Sequence, residues 1–341
     1  MLKQIYRLVS EKKFESVVVS QHPQKNQIVV RPNYLSICHA DQRYFNFERG
    51  SEIMAKKLPM ALVHEGMGTI VYSKSDKFKA GDRVVIVPTV NPHKEVTYGE
   101  NYLVDSSFMS SSRDGMMQEY LVLDEEQIVK LTDDIPNTIA AFIEMMSVGR
   151  HSIERIFDIA KNTNGSIGIW GDGNVSYMTA AVLKELKPEL KIYVFGHHQS
   201  KLDYYSFVDG TYLTDSIPDT LMLDNAIEAT GGSGCAMAIR QIIDHINPEG
   251  TVALLGVSEL EVPINTRMVL QKGLRLIGSS RSSVSDFKNI VELLHNNPQL
   301  ISRMGILVNQ VINVKTVEEA AKVFSEDQAN SFGKTIMEWN V

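Results

Sequence analysis

The sequence predicts an α/β chain in two parts: a barrel-like all-β part, then a doubly wound parallel sheet. Three observations carry this. Residues 1 to about 145 hold short β-branched runs separated by Pro, Gly and Asp. From about residue 140, strands alternate with amphipathic helices. Between one such strand and its helix stands the glycine turn Gly171-Asp172-Gly173, in mid-chain rather than at the start.

The β runs are "SVVVS", "QIVVRP", "GMGTIVYS" and "DRVVIVP", the last set off by the Gly-Asp turn of "KAGDRVVIVP". Residues 89 to 115 are polar and aperiodic, and read as a surface excursion. "AAFIEMMSVGRHSIERIF" then shows helical spacing. "SIGIW", "KIYVF", "LDNAIEAT", "GTVALLGV" and "LRLIGSS" are strands, with "NVSYMTAAVLKELK" and "CAMAIRQIIDHI" as helices between them. After them come the helix "DFKNIVELLHNN" and the strand "VNQVINV". The expected boundaries are 1–145 for the first domain, completed by about 298–341, and 146–297 for the second.

Bulk numbers agree with an ordinary globular chain. It has 341 residues, of which 43% are hydrophobic and 22% charged. At about 150 residues per domain that length means two domains. Cys38 and Cys235 are the only cysteines, which excludes a disulfide framework and fits a reducing compartment. A net charge of -7 and the lack of a basic cluster with interleaved aromatics speak against nucleic acid. No signal peptide and no apolar run of about 20 residues is visible, so a cytoplasmic protein off the membrane is expected.

Gly171 and Gly173 stand where a dinucleotide fold needs a tight turn and a close approach to the pyrophosphate. Asn174 and Val175 open the helix whose N-terminus faces it. Ser176 replaces the third glycine. NAD-binding folds put an acid at the end of the second strand to hold the ribose 2′-hydroxyl. Here "KIYVF" ends at Gly196, followed by His197, His198, Gln199, Ser200 and Lys201. Gly196 leaves room, and His198, Ser200 and Lys201 supply donors and positive charge to a 2′-phosphate. NADPH is therefore the expected coenzyme, with Gly196→Asp moving preference toward NADH.

Metal-ligand candidates stand in "SICHAD" (Cys38, His39, Asp41), "VHEGMG" (His64, Glu65) and "FIEMMSVGRHSI" (Glu144). In this order these segments resemble the zinc-containing medium-chain dehydrogenase/reductases, over essentially the whole chain. The resemblance implies a GroES-like β-barrel catalytic domain plus a Rossmann domain, and one catalytic zinc on Cys38, His64, Glu144 and Glu65. Zinc accepts such S, N and O ligands with one position open. Cys38 thiolate and Glu144 carboxylate bring a charge of -2 against Zn²⁺. Glu65 is expected to bind zinc, to replace its water transiently or to sit behind it. Asp41 is expected to orient a ligating histidine. The four cysteines that hold a structural zinc in relatives are missing from 89–115, so no second zinc is expected. His39, His197 and His198 are read as non-ligands, and His93, Glu100 and Asp114 as solvent-facing.

Glu144 ahead of "MMSVGRHSI" resembles the polyol dehydrogenases, and Ala40 lacks the hydroxyl that relays protons in many relatives. "SICHADQRYF", "KLPMALVHEGMG", "IGIWGDGN", "PEGTVALLGVSE", "KGLRLIGSSRS" and "FGKTIMEW" resemble the branch that reduces ribulose 5-phosphate to ribitol 5-phosphate for CDP-ribitol and teichoic-acid or capsule polymers. That resemblance implies zinc polarisation of the C2 carbonyl and hydride from NADPH. It also implies a homodimer through the nucleotide domains, with a cytidylyltransferase as a possible associate. A phosphate needs a cation. Arg43 is the nearest candidate in sequence to Cys38, ahead of Lys57 and Arg281. The proton donor stays open between water, a substrate hydroxyl, Glu65 and Glu144. The alternatives are a dehydrogenase of a free polyol such as sorbitol or xylitol, and a non-catalytic nucleotide-binding protein.

Overall fold

Strand, helix and glycine turn alternate along the chain as their residues dictate, and the chain sorts into two units. The computed structural model describes residues 1–91, 99–328 and 330–341, so His93 lies outside the described residues, as does the side chain of Glu100. One unit is Met1–Ser147 with Ser282–Val341, and the other is Val148–Arg281.

In the first unit the strands Ile128–Lys130, Arg83–Ile86, Glu65–Ser73, Gln27–Ser36, Lys334–Trp339 and Val308–Val314 lie in that order, with Leu121–Asp124 also paired to Gln27–Ser36. Only Val308–Val314 and Lys334–Trp339 run parallel to each other; their neighbours are antiparallel. Leu2–Ser10 pairs with Lys13–Ser20 in a second sheet. Runs such as Ile28-Val29-Val30 are buried in the core because β-branched side chains suit a pleated surface. The rings of Phe14, Phe45 and Phe324 close that core with centroids 4.9–5.6 Å apart.

Helix Val284–Asn296 begins with a capping box at Ser283 and Asp286. Its apolar stripe packs on strand Ile128–Lys130 and helix Pro298–Gly305. This is why the chain rejoins the first unit at Ser282, earlier than the 298 expected from sequence.

The polar 89–115 segment also differs from its reading as surface. Among its described residues, Met109 and Ser110 are buried at 3% exposure each. Gly115 passes so close to the 62–63 backbone that a Cβ would lie 2.3 Å from the Leu62 carbonyl oxygen. Asp114 is not solvent-facing: it holds Arg7 through contacts of 2.6–3.2 Å and accepts from the Ala61 amide at 2.9 Å.

The second unit is a six-stranded, wholly parallel sheet in the order Gly210–Leu213, Lys191–Gly196, Ser166–Trp170, Leu223–Glu228, Ile246–Leu254, Arg275–Gly278. Order reverses beside Ser166–Trp170, the switch point where such sheets bind ligands. Gly210–Leu213 is a strand that sequence periodicity does not reveal. It has four half-buried residues and no alternation to read.

Candidate functional site

In the first unit, helix His39–Phe45 and the start of strand Glu65–Ser73 bring Cys38, His64 and Glu65 together. A sulfur, a ring nitrogen and a carboxylate oxygen from these three lie within 4.8 Å of one another. Val63, just before them, has φ +70°, and the donor atoms of His64 and Glu65 reach one cluster although adjacent residues of a strand ordinarily point to opposite faces.

Asp41 orients His64, as expected. Its carboxylate lies 3.2–3.3 Å from Nδ1 of the imidazole. It also accepts from the Val63 amide at 3.1 Å and from the Ser110 hydroxyl at 2.5 Å. A hydrogen bond to one ring nitrogen fixes the tautomer that leaves the other free as a ligand. Burial alone raises the Asp41 pKa, but the His64 charge and these hydrogen bonds outweigh it and hold the carboxyl below its ordinary value. Burial pulls the His64 pKa down, yet Asp41 and Cys38 drive it well above the usual imidazole value. Sequence reasoning misses Ser110, because its segment carries no motif.

It also misses Lys334. This side chain is 2% exposed, and its ammonium lies 3.0 and 2.9 Å from the two oxygens of Glu65, itself fully buried. The available signal is a lysine opening the apolar strand "KTIMEW". Glu144 sits in the first turn of helix Ile143–Phe157, 5% exposed. Its donor oxygens are not among the three that cluster within 4.8 Å. Burial raises its pKa, with Glu65 and Asp41 adding to the rise and His64 and Lys334 opposing it, so its carboxyl faces the same charges.

The donor set fits a zinc ion. Cys38, Glu65 and Glu144 as anions with Lys334 as a cation sum to -2, the charge that Zn²⁺ cancels, and S, N and O donors are its usual ligands. His39 is exposed and outside this cluster. Arg43 is half-buried on the same short helix as Asp41.

In the second unit Gly171 has φ +131°, and a Cβ there would lie 2.8 Å from the Ala229 carbonyl oxygen, so glycine is required. Gly173 precedes helix Asn174–Leu186, so that Asn174 and Val175 form the helix N-terminus beside the glycine turn. Ser176 is fully buried and donates to the Gly171 carbonyl at 2.6 Å, which accounts for serine in the third glycine position. A cavity of about 230 Å³ adjoins this turn, lined in part by Gly173, Gly196, His197, Lys201 and Thr230. His198 and Ser200 do not line it. Trp170 and Phe195 stack at its floor, 3.9 Å between centroids.

One expectation about this loop is corrected. No acid follows the second strand in sequence, but the fold brings one: Asp172 lies against Gly196. A Cβ on residue 196 would come 2.6 Å from the Asp172 Cβ. Gly196 thus makes room for Asp172, and an Asp at 196 would collide with it instead of simply adding a ribose acceptor.

Residues 24–133 match the model of the alcohol dehydrogenase GroES-like domain, and residues 137–337 that of the glucose dehydrogenase C-terminus. The chain is 43% identical over 341 residues, all of both proteins, to ribulose-5-phosphate reductase 2 of Staphylococcus aureus. It is likewise 43% identical over full length to a ribulose-5-phosphate reductase of Bacillus spizizenii. The structure of S. aureus TarJ in complex with NADPH superposes with a TM-score of 0.88 at 40% identity, covering 99% of each chain.

Proposed function

From the membership of this chain in the medium-chain alcohol dehydrogenase family, among the ribulose-5-phosphate reductases, we propose that it reduces D-ribulose 5-phosphate to D-ribitol 5-phosphate with NADPH and a single catalytic zinc. The observation that carries this is the Cys38–His64–Glu65 cluster, within 4.8 Å, in a chain similar to those reductases from end to end.

Cys38, His64 and Glu144 would hold the metal, and Glu65 would bind it, replace its water transiently or sit behind it, because a catalytic zinc keeps one position open for the substrate oxygen. Bound there, zinc supplies the Lewis acidity that polarises a ketone oxygen, and NADPH supplies the hydride. Asp41 keeps His64 in the ligating tautomer. Lys334 neutralises Glu65, so that three anionic side chains share one buried site without surplus charge. Gly171 and Gly173 admit the pyrophosphate, and the N-terminus of helix Asn174–Leu186 receives it. Gly196 and Lys201 face the adenosine end, with His198 and Ser200 beside them. Ala40 offers no hydroxyl, so the proton for the product alkoxide comes from water, a substrate hydroxyl or one of the carboxyls.

The product would supply CDP-ribitol through a cytidylyltransferase, the enzyme with which a complex is proposed. A homodimer is supported by strand Arg275–Gly278 standing at the end of its sheet and by Val257, Leu260 and Leu270 of the same unit being 69–82% exposed. Among the described residues no helix is long and apolar enough to cross a membrane, in keeping with a cytoplasmic reductase.

The test is NADPH oxidation with ribulose 5-phosphate and with free ribulose. Turnover of the phosphate ester should far exceed that of the free sugar; equal efficiency would leave a general polyol dehydrogenase. Arg43 is the proposed phosphate partner. Arg43→Ala should raise KM for ribulose 5-phosphate about tenfold, because a charge-assisted hydrogen bond contributes about 1.5–3 kcal/mol. KM for ribulose should stay within about twofold if the contact is with phosphate alone. An equal rise for both substrates removes Arg43 from the role.

A further inference from the structure

We propose that Asp172, the residue between the two fingerprint glycines, limits the preference for NADPH over NADH by competing with the 2′-phosphate of NADPH for one cluster of donors. This rests on the assignment of Gly196, His198 and Lys201 to the adenosine end of the coenzyme.

The cluster is well defined. One Asp172 oxygen accepts from the His197 amide at 2.8 Å, the His198 amide at 2.9 Å and the His198 Nδ1 at 2.9 Å. The Lys201 ammonium lies 3.9 Å from the other oxygen. Two consecutive backbone amides, an imidazole and an ammonium make a nest suited to an anion. The carboxylate lining it is 13% exposed and borders the cavity of about 230 Å³. Burial raises its pKa, but the His198 ring, the two amides and Lys201 outweigh that and hold it low, so it is an anion at neutral pH.

The same groups follow the second strand, where a coenzyme's adenosine ribose is read. Gly196 is bare because Asp172 fills the space over it. The acid that NAD-binding folds carry on the strand end is therefore delivered here from the phosphate-binding turn. A 2′-phosphate approaching the nest meets a fixed negative charge on donors it needs, and two anions in one site disfavour each other. A ribose 2′-hydroxyl meets no such penalty, since a carboxylate accepts its hydrogen bond. Asp172 thus weakens NADPH relative to NADH while holding the 197–201 loop folded through its amides.

The experiment compares wild type with Asp172→Asn. Asparagine keeps the shape and one acceptor oxygen for the loop amides but removes the charge. Dissociation constants are measured for NADPH and NADH, and for the fragments 2′,5′-ADP and 5′-AMP. The ratio of the NADH constant to the NADPH constant should rise at least about threefold, with 2′,5′-ADP tightening in parallel and 5′-AMP unchanged. An unchanged or lower ratio overturns the proposal, because Asp172 would then only support the loop. If 5′-AMP binding collapses, Asp172→Ser is read in the same way. If neither the wild type nor Asp172→Asn binds 2′,5′-ADP better than 5′-AMP, the assignment of the adenosine end itself fails.

Discussion

Cys38→Ser is expected to take the protein from the single zinc per chain proposed above to a small fraction of one, and to lower turnover by about a thousandfold or more. A hydroxyl is not deprotonated under conditions where zinc draws a proton from a thiol, so a charged donor is lost as well as a soft one. Outer partners of metal ligands are alone worth about 10–100-fold in affinity, and a ligand should count for more. The metal supplies several kcal/mol of charge stabilisation at the carbonyl, which sets the scale of the loss in rate. The fold should survive. Cys38 lies at the start of a short helix and is only half-buried. Circular dichroism and NADPH binding, both reporting on structure away from the site, should match wild type. Elemental analysis checks the stoichiometry: two tightly held zinc ions in the wild type, or an active sample with none, would overturn the site as drawn. So would a Cys38→Ser protein that keeps both metal and rate.

Much of this is legible from the chain itself, and the reason is distance along it. The fingerprint Gly171–Ser176 lies between its own strand and helix, so neighbouring residues carry all the information. Cys38 and His64 stand in short segments whose order and composition resemble a family. Even Asp41 is legible, being three residues from Cys38 in a turn of helix. What fails to show needs the third dimension. Lys334 meets Glu65 across 269 positions. Ser110 reaches Asp41 from a segment without period, 69 positions away. In sequence Asp172 is a mere spacer between glycines, yet its carboxylate sits beside residue 196 and puts an acid against the loop where the strand end itself carries none. The strand Gly210–Leu213 is invisible because a short edge strand needs no alternation to pair. Buried polar contacts between distant segments leave no periodicity, whereas turns and amphipathic faces do.

The Lys334–Glu65 pair gives the largest stability effect to expect. Both side chains are nearly or wholly buried, at 2% and 0% exposure, and both carboxylate oxygens face the ammonium. Removing one partner of such a pair leaves a charge in a medium of low polarity, which costs about 3–5 kcal/mol. Lys334→Met, close in length and apolar, should therefore lower the unfolding free energy of the zinc-free protein by about that amount, read from denaturant midpoints. Glu65→Gln in the Lys334→Met background should recover most of the loss, since neither charge then remains. The pH dependence has a definite sign. Burial lowers the Lys334 pKa, but Glu65, Cys38 and the hydrogen bond to Glu65 raise it above the ordinary lysine value overall. A raised cationic group contributes stability that is fully present below its unfolded pKa and fades only as pH climbs through the folded one. The Lys334 contribution should accordingly fade only in strongly alkaline solution, while acid that protonates the unpaired Glu65 of the variant should also narrow the gap between the two proteins. Zinc should narrow the gap, because a metal cation can stand in for the missing ammonium beside Glu65. If Lys334→Met is as stable as wild type without metal, or if the double variant is no better than the single one, Lys334 is not the counter-charge that lets three acids share this site.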